Sequence, residues 1–296
     1  MSAHPRADRA DTLRGIGLVL LTMLMFACMD GVIKFLSSDY SVVQILWVRY
    51  VILLIVAALI ARPRGLRQVL KTQRLGMQVV RSLVLLAEMG AFVVSWRYLT
   101  LADTHAIAAV TPLIVTVLAV CLLGERVGLH KMLAVAVGFA GVLVIIRPGQ
   151  GVFNAAALIP LIAAALFALY QIMTRFVSRT DRPDTSLLYT AIVGVIILTV
   201  IGPFSWRSPT GPDWGLLLLV ALLGSGSHFA LIKALQLAPA STLQPFNYSL
   251  FLWAIVVGFI GFDDLPDQWT FAGGAIVVAS GLYVLHRERA QGGTTP

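Results

Sequence analysis

Residues 26–37 read FACMDGVIKFLS, and they close a run, opening with GIGLVLLTMLM at Gly15, that is otherwise apolar. Asp30 and Lys34 interrupt it. A charge near the centre of a bilayer costs about 2.5–3.5 kcal/mol on insertion scales, so something must offset that cost. The local answer is a pair: at spacing i, i+4 the two side chains share a helix face. A second answer lies 141 residues on, where residues 167–178 read FALYQIMTRFVS. Phe26, Ala27, Lys34, Phe35 and Ser37 recur there as Phe167, Ala168, Arg175, Phe176 and Ser178. The stretch is one copy of a repeat, and its charges have to be read against the other copy.

The rest of the chain sets the medium. Of its 296 residues, 58% are hydrophobic and only 12% charged, about half the charged fraction of a soluble domain, and its mean hydropathy is +0.88. This is the composition of an all-α polytopic membrane protein. Ten apolar stretches are long enough to cross a bilayer at about 20 residues each: residues 14–36, 41–61, 76–98, 103–124, 130–147, 154–178, 185–204, 213–235, 240–262 and 268–286. The connections are short, so the function must lie within the membrane. The polar start, MSAHPRADRADTLR, leads into a span of full length with no cleavage-site pattern, and is expected to be a retained first helix. Cys28 and Cys121 sit in apolar segments as small buried side chains.

Charge fixes an orientation. With the N-terminus inside, the cytoplasmic segments hold 16 Lys and Arg and the other side holds four (Lys34, Arg97, Arg147 and Arg207), with Arg49 and Arg81 inside spans. That is a positive-inside bias with both termini in the cytoplasm. Trp96, Trp206, Trp214 and Trp269 fall near span ends, where interfacial aromatics belong.

The repeat continues beyond the opening stretch. RYLTLA at 97–102 resembles KALQLA at 233–238, and Val137, Gly141 and Arg147 fall on Val277, Gly281 and Arg287. The order and near-constant offset make two halves of five spans. Five is odd, so the second half enters the membrane inverted, which is a secondary-transporter architecture with its site near the midplane. The expected organisation is a tail at 1–13, a first five-helix repeat at 14–149, an inverted repeat at 150–287 and a tail at 288–296. Lys34 and Arg175 then end equivalent spans on opposite sides, where snorkelling to the headgroups is the expected role. Asp30 has no acidic counterpart, because Gln171 takes its place.

Several stretches carry a family likeness. Pro112 lies inside the fourth span, LLGER at 122–126 ends it, and GFAGVLVI at 138–145 lies in the fifth; the second half keeps Pro245 and GGAIVVASGLYV at 273–284. With these the whole chain resembles the drug/metabolite transporter superfamily in its EamA-like ten-helix branch, and within it the bacterial exporters of aromatic amino acids. GFDDLP at 261–266 departs from the pattern, which weakens a symmetric role for Glu125. The resemblance implies a central cavity lined by spans 1, 3, 4, 6, 8 and 9, with 5 and 10 peripheral, and a site in a bacterial inner membrane. It implies export of aromatic or hydrophobic amino acids, with nucleosides, cations or drugs as alternatives.

The ionisable and polar residues at membrane depth are the candidates. Arg81 and Glu88 are seven apart on one helix face. Glu88 can pair with Arg81 or Arg49, hold a substrate ammonium, or carry a coupled proton. Arg49 is expected to be structural, paired with Asp30; Asp30 is divided between that pair and a gate. GSGSH at 224–228 puts Ser227 and His228 at membrane depth, either facing the cavity or bridging helices. His105 is expected at the interface. In STLQPFNYSLFLW at 241–253, Pro245 breaks a backbone hydrogen bond among Gln244, Asn247, Tyr248 and Ser249; Pro112, with Thr111 beside it, should kink its span similarly. Glu88 or freed carbonyls would take an ammonium, and His228, Asn247 and Gln244 a carboxylate. Phe92, Tyr170, Tyr248 and Trp253 would form an aromatic slot, with Gln171 adding an amide. Gly138, Gly141, Gly273, Gly274 and Gly281 give spans 5 and 10 small faces for packing or, secondarily, a dimer contact; a monomer is expected.

Two other classes find little support. An integral-membrane enzyme would need a motif such as H-E-x-x-H, G-x-S-x-G or a P-loop, and none is present. A channel would need a charged ring or a selectivity segment. No metal, cofactor or nucleic acid is expected; a small molecule and the lipid bilayer are.

Overall fold

A computed structural model describes residues 9–123, 129–147, 155–177, 180–237 and 246–292, and within them the chain is helical, with no strand. The first half holds α1 (Arg9–Leu36), α2 (Val42–Ala61), α3 (Leu75–Ser95), α4 (Leu101–Ala108), α5 (Thr111–Leu123) and α6 (Leu129–Ile146). The second holds α7 (Leu158–Val177), α8 (Pro183–Ile201), α9 (Gly211–Leu237), α10 (Ser249–Phe262) and α11 (Gln268–Gly292). Every apolar stretch picked out in the sequence carries helix, and the fourth carries two. Four spans among the described residues are long and apolar enough to cross a membrane, and four shorter apolar helices accompany them. Large apolar side chains such as Ile55, Val200 and Ile260 face outward, as a hydrocarbon solvent permits.

Local chemistry places the boundaries. Ser41 caps α2 by accepting from the Gln44 amide, and Thr100 caps α4 by accepting from the Asp103 amide. The break between α4 and α5 falls just ahead of Pro112. Proline has no N–H to give the carbonyl four residues back, which is that of Ala108. The Thr111 hydroxyl donates to that carbonyl instead, at 2.7 Å. Pro112 thus begins a new helix, where a missing N–H costs nothing, and Thr111 is spent on the backbone.

Packing runs almost wholly between the halves. In the first half α1 lies against α9 and α10, α2 against α8 and α9, α3 against α7 and α8, and α6 against α11; α4 meets α10 and α7, and α5 meets α7. Numbering the ten apolar stretches of the sequence in order and exchanging each with the one five places on turns the α1–α9 pair into α7–α3. The α1–α10 pair becomes α7 with α4 and α5, and α3–α8 becomes α9–α2. The pairs α2–α8, α4–α10 and α6–α11 return to themselves. The principal partners therefore form a set closed under exchange of the halves.

Glycines set the closest approaches. At the α6–α11 crossing a Cβ on Gly141 would stand 2.9 Å from the Gly273 carbonyl oxygen, and one on Gly273 2.5 Å from the Gly141 oxygen. Gly138 abuts Leu113 and Ser280, Gly274 abuts Phe251, and Gly281 abuts Tyr248. These small faces are filled from within the chain.

Candidate functional site

Charges from three helices gather in the interior of the bundle. Asp30 on α1 is buried, with His105 of α4 at its carboxylate: Nε2 lies 3.1 Å from Oδ2, although the hydrogen-bond direction of that nitrogen misses it. His105 is therefore buried and not interfacial, and Asp30 pairs with neither Lys34 nor Arg49. Arg49 on α2 is 8% exposed. Its Nε sits beside Gly224 of α9, 3.2 Å from where a Cβ would stand; a side chain there would push it aside. Glu88 on α3 lies within electrostatic reach of Arg49 and Asp30. Phe92, one turn further along α3, packs edge-on against Trp96 at 5.8 Å and against the His105 ring at 5.4 Å. Trp96 is itself buried, whereas Trp206, Trp214 and Trp269 are exposed.

Arg81 does not pair with Glu88. Its side chain is 1% exposed and donates to neutral acceptors on two other elements, α7 and α8, and on its own. These are Tyr170 Oη at 3.1 Å, Thr174 Oγ1 at 3.3 Å, Gln78 Oε1 at 3.1 Å, the Ser186 carbonyl at 2.7 Å and Thr190 Oγ1 at 2.9 Å. Gln78 is turned by its own amide, which donates to Asp181 at 2.9 Å. Asp181, in the connection between α7 and α8, also accepts from Thr72 and from the Gln73 amide. Burial pushes the Asp181 carboxyl up, but the hydrogen bonds from Thr72, Gln78 and Gln73 outweigh it and hold the acid below its usual range. Asp181, Gln78 and Arg81 thus join α3 to the α7–α8 corner.

The opposite end has its own joint. Tyr40, 141 residues before Asp181, donates to Asp213 and accepts from the Thr210 amide. Gln44 exchanges two hydrogen bonds with the Arg207 backbone, at 2.6 and 3.0 Å. Lys34 does not snorkel: its ammonium is 2.5 Å from Asp264 and 4.5 Å from the Phe262 ring centre. The departing GFDDLP stretch is what supplies that partner. Arg207 meets Asp39 at 3.3 Å, and Asp103 takes the Thr270 hydroxyl at 2.7 Å.

The remaining candidates are scattered over this frame. Tyr170 stacks on Phe167 and carries Arg81 over its ring at 5.2 Å. Gln171 is half-buried on the next position of α7. The Ser227 hydroxyl is committed to the Gly224 carbonyl of its own helix. Tyr248 is buried with its hydroxyl against Gly281 of α11, so it faces the last helix and not an aromatic slot. Trp253 packs among Val19, Met23 and Phe246 with its Nε1 buried. Asn247 is half-buried and hydrogen-bonded or in contact. Glu125, Gln244 and Pro245, and the side chains of Pro112, Arg175 and His228, lie outside the described residues.

Comparison with known proteins bears on this bundle twice over. The model of the EamA-like transporter family matches residues 13–147 and again residues 154–285. The chain belongs to the EamA-like transporter family. It is 28% identical to a riboflavin transporter of Vibrio cholerae over 289 residues, covering 93% of this chain and 94% of the relative. It is 27% identical to an S-adenosylmethionine uptake transporter of Rickettsia felis, covering 94% of each. It is 22% identical to a pseudopaline exporter of Pseudomonas aeruginosa, covering 90% and 94%. A crystal structure only 15% identical superposes with a TM-score of 0.61 over 97% of this chain and 99% of its own, which shows the fold. These EamA-like relatives move small molecules of quite different chemistry, and the likeness to aromatic amino acid exporters narrows to the family as a whole.

In this EamA-like chain Asp181, Gln78, Tyr40, Gln44 and Asp264 form the two joints, and no motif in the sequence marks them. One signal was available: Asp264 and Lys34 fall on the same side of the membrane in the charge-derived orientation, each at the end of a span.

Proposed function

We propose that the protein is a secondary transporter that moves small amino-acid-like solutes, aromatic ones among them, out of the cell by alternating access. In this reading ten helices cross a bacterial inner membrane as two inverted five-helix repeats with both termini in the cytoplasm. The observation that carries it is the packing of the helices, whose principal pairs are unchanged when the halves are exchanged. Inverted halves that pack equivalently can trade conformations, so the inward-open and outward-open forms have similar energy. The joint at Tyr40, Gln44 and Lys34 would close one end and that at Asp181, Gln78 and Arg81 the other. The family model matching once per half and the bias of Lys and Arg add to the argument. The solute would lie near Asp30, Arg49 and Glu88, with Phe92 and Tyr170 offering ring faces and stacking worth about 0.5–1.5 kcal/mol per pair. Gln171 and Asn247, both half-buried, would complete the walls.

A second reading is a larger metabolite on the same path, moved in either direction. It is favoured by the relatives, which include a riboflavin transporter and an S-adenosylmethionine uptake transporter.

The test has two parts. Reporters fused after Asp39 and Gln150 should face outside and one after Arg67 inside; an outside-facing 62–74 loop would end the inverted-repeat reading. Liposomes preloaded with phenylalanine should then exchange labelled phenylalanine, with tryptophan and tyrosine competing and sugars not. Exchange of riboflavin or S-adenosylmethionine but of no amino acid would favour the second reading.

A further inference from the structure

Arg49 and Glu88 present a physical anomaly. Each is an ionisable group at membrane depth, yet among the described residues neither has a hydrogen-bond or ion-pair partner within 4.0 Å. They still lie within electrostatic reach of one another. Opposite charges this near attract strongly inside a protein, so side chains free to close the gap would do so. Here the surroundings hold them apart. Arg49 is more than nine-tenths buried and wedged at Gly224, where Met29 also approaches within 3.2 Å of the missing Cβ. The neighbouring Tyr50 is pinned with its hydroxyl on Met89 at 3.5 Å and its ring over Gly194. Glu88 keeps part of its surface open. An unpaired guanidinium and an unpaired carboxylate each carry a desolvation penalty. A partner that enters from outside the protein and satisfies both removes it.

Resting on the transporter reading, we infer that Arg49 and Glu88 are the two poles of a binding site for a dipolar solute, one bearing a carboxylate and a cationic nitrogen or sulfur. The carboxylate goes to Arg49, whose planar fork matches it two bonds at a time. The cationic group goes to Glu88. Asp30, already turned toward His105, adds negative potential at the same pole and disfavours a second anionic group. Phe92 follows Glu88 by one helical turn and offers the ring face for a side chain. The spacing between fixed poles, not a large aromatic slot, sets what the site accepts. Neutral ring systems without charges leave both poles unpaired and are rejected.

Purified protein in liposomes tests this with one scaffold at three charge states: phenylalanine, its methyl ester, which lacks the carboxylate, and its N-acetyl form, which lacks the ammonium. Methionine, lysine and riboflavin are run beside them. In the wild type the free amino acid should compete on the order of tenfold to a hundredfold better than either blocked form. Arg49→Gln should erase the discrimination against the ester and leave that against the N-acetyl form. Glu88→Gln should do the reverse. A purely structural role predicts all three competitors falling together in both variants, and that result overturns the inference. So does a wild type that treats the three alike, or one that exchanges riboflavin and no amino acid; in that last case transport itself stands. Arg49→Lys covers a misfolded Arg49→Gln: it keeps the charge, loses the fork and should discriminate at an intermediate level, whereas discrimination equal to wild type overturns the bidentate role.

Discussion

Asp181 offers the sharpest perturbation. Its carboxylate takes the Thr72 hydroxyl, the Gln78 amide at 2.9 Å and the Gln73 amide at 3.4 Å, and through Gln78 it turns Arg81 toward α8. Asp181→Ala removes the two side-chain bonds, from Gln78 on α3 and from Thr72 just before it, that tie this end of α3 to the α7–α8 corner. Interhelical side-chain bonds in membrane proteins average about 0.6 kcal/mol and reach about 1.7, so the loss is roughly 1–3 kcal/mol. If this joint closes its end of the path, the closed-to-open ratio there shifts about sixfold to a hundredfold. The assay is the labelling rate of a cysteine at Gln171, in a chain with Cys28 and Cys121 replaced, by an impermeant maleimide added from the cytoplasmic side. The rate should rise by that factor, and Asp181→Asn, which keeps one accepting oxygen, should raise it less. Acid should act in the same sense. The folded acid lies below its ordinary 3.8, so its stabilisation is complete above that value and disappears as pH falls through the depressed one. Because the thiolate fraction falls with pH in every variant, the readout is the rate relative to Asp181→Asn, which should be constant from neutral to mildly acidic pH and rise only in stronger acid. An unchanged rate in Asp181→Ala, with folding intact, would refute the reasoning.

Four further substitutions have outcomes set by their neighbours. Gly273→Ala places a methyl 2.5 Å from the Gly141 carbonyl oxygen and 3.1 Å from the Ile145 amide nitrogen; backbone cannot retreat, so α6 and α11 must part. The overpacking cost of about 1–3 kcal/mol exceeds the helix-propensity gain of about 1, and the melting temperature in detergent should fall. Gly90→Ala meets nothing within 4 Å and should leave it unchanged or raise it. Lys34→Met should lower it modestly, by about 1 kcal/mol for a partly exposed pair, and the Lys34→Asp, Asp264→Lys exchange should restore most of the loss; equal losses in single and exchanged variants would show no coupling. Arg81→Lys keeps a charge but cannot reach five acceptors, and should cost about 2–4 kcal/mol, read as lost thermal stability and yield.

The helical architecture was legible because hydrocarbon allows little else: apolar runs of spanning length must be helices. The partners of the charges were not. Asp30 and Lys34 look like a local pair by spacing, but Asp30 turns to His105 of α4 and Lys34 to Asp264, 230 positions away in the connection after α10. Arg81 and Glu88 share a face, yet at about 1.5 Å of rise per residue they stand some 10 Å apart along the axis, too far to touch. That much could have been worked out from spacing. Nothing local told that Arg49 would find room at Gly224, since the room is an absent side chain on a distant helix. The Thr111–Pro112 pair was readable in principle, because a hydroxyl just before a proline is well placed for the carbonyl that the proline abandons. Tyr248 misled because aromatic residues beside a kink suggest a cavity, whereas this ring was needed to fill the space left by Gly281.

The interlocking of the halves has a consequence for how the chain comes to exist. Nearly every principal helix contact joins one half to the other, so the helices of the first half emerge from the ribosome with almost none of their final neighbours. They must wait in the lipid, unassembled, until the second half arrives. Assembly is then a late, concerted event dominated by long-range contacts. The two halves made as separate polypeptides should find each other, while either alone should be recognised by quality-control proteases as an orphan.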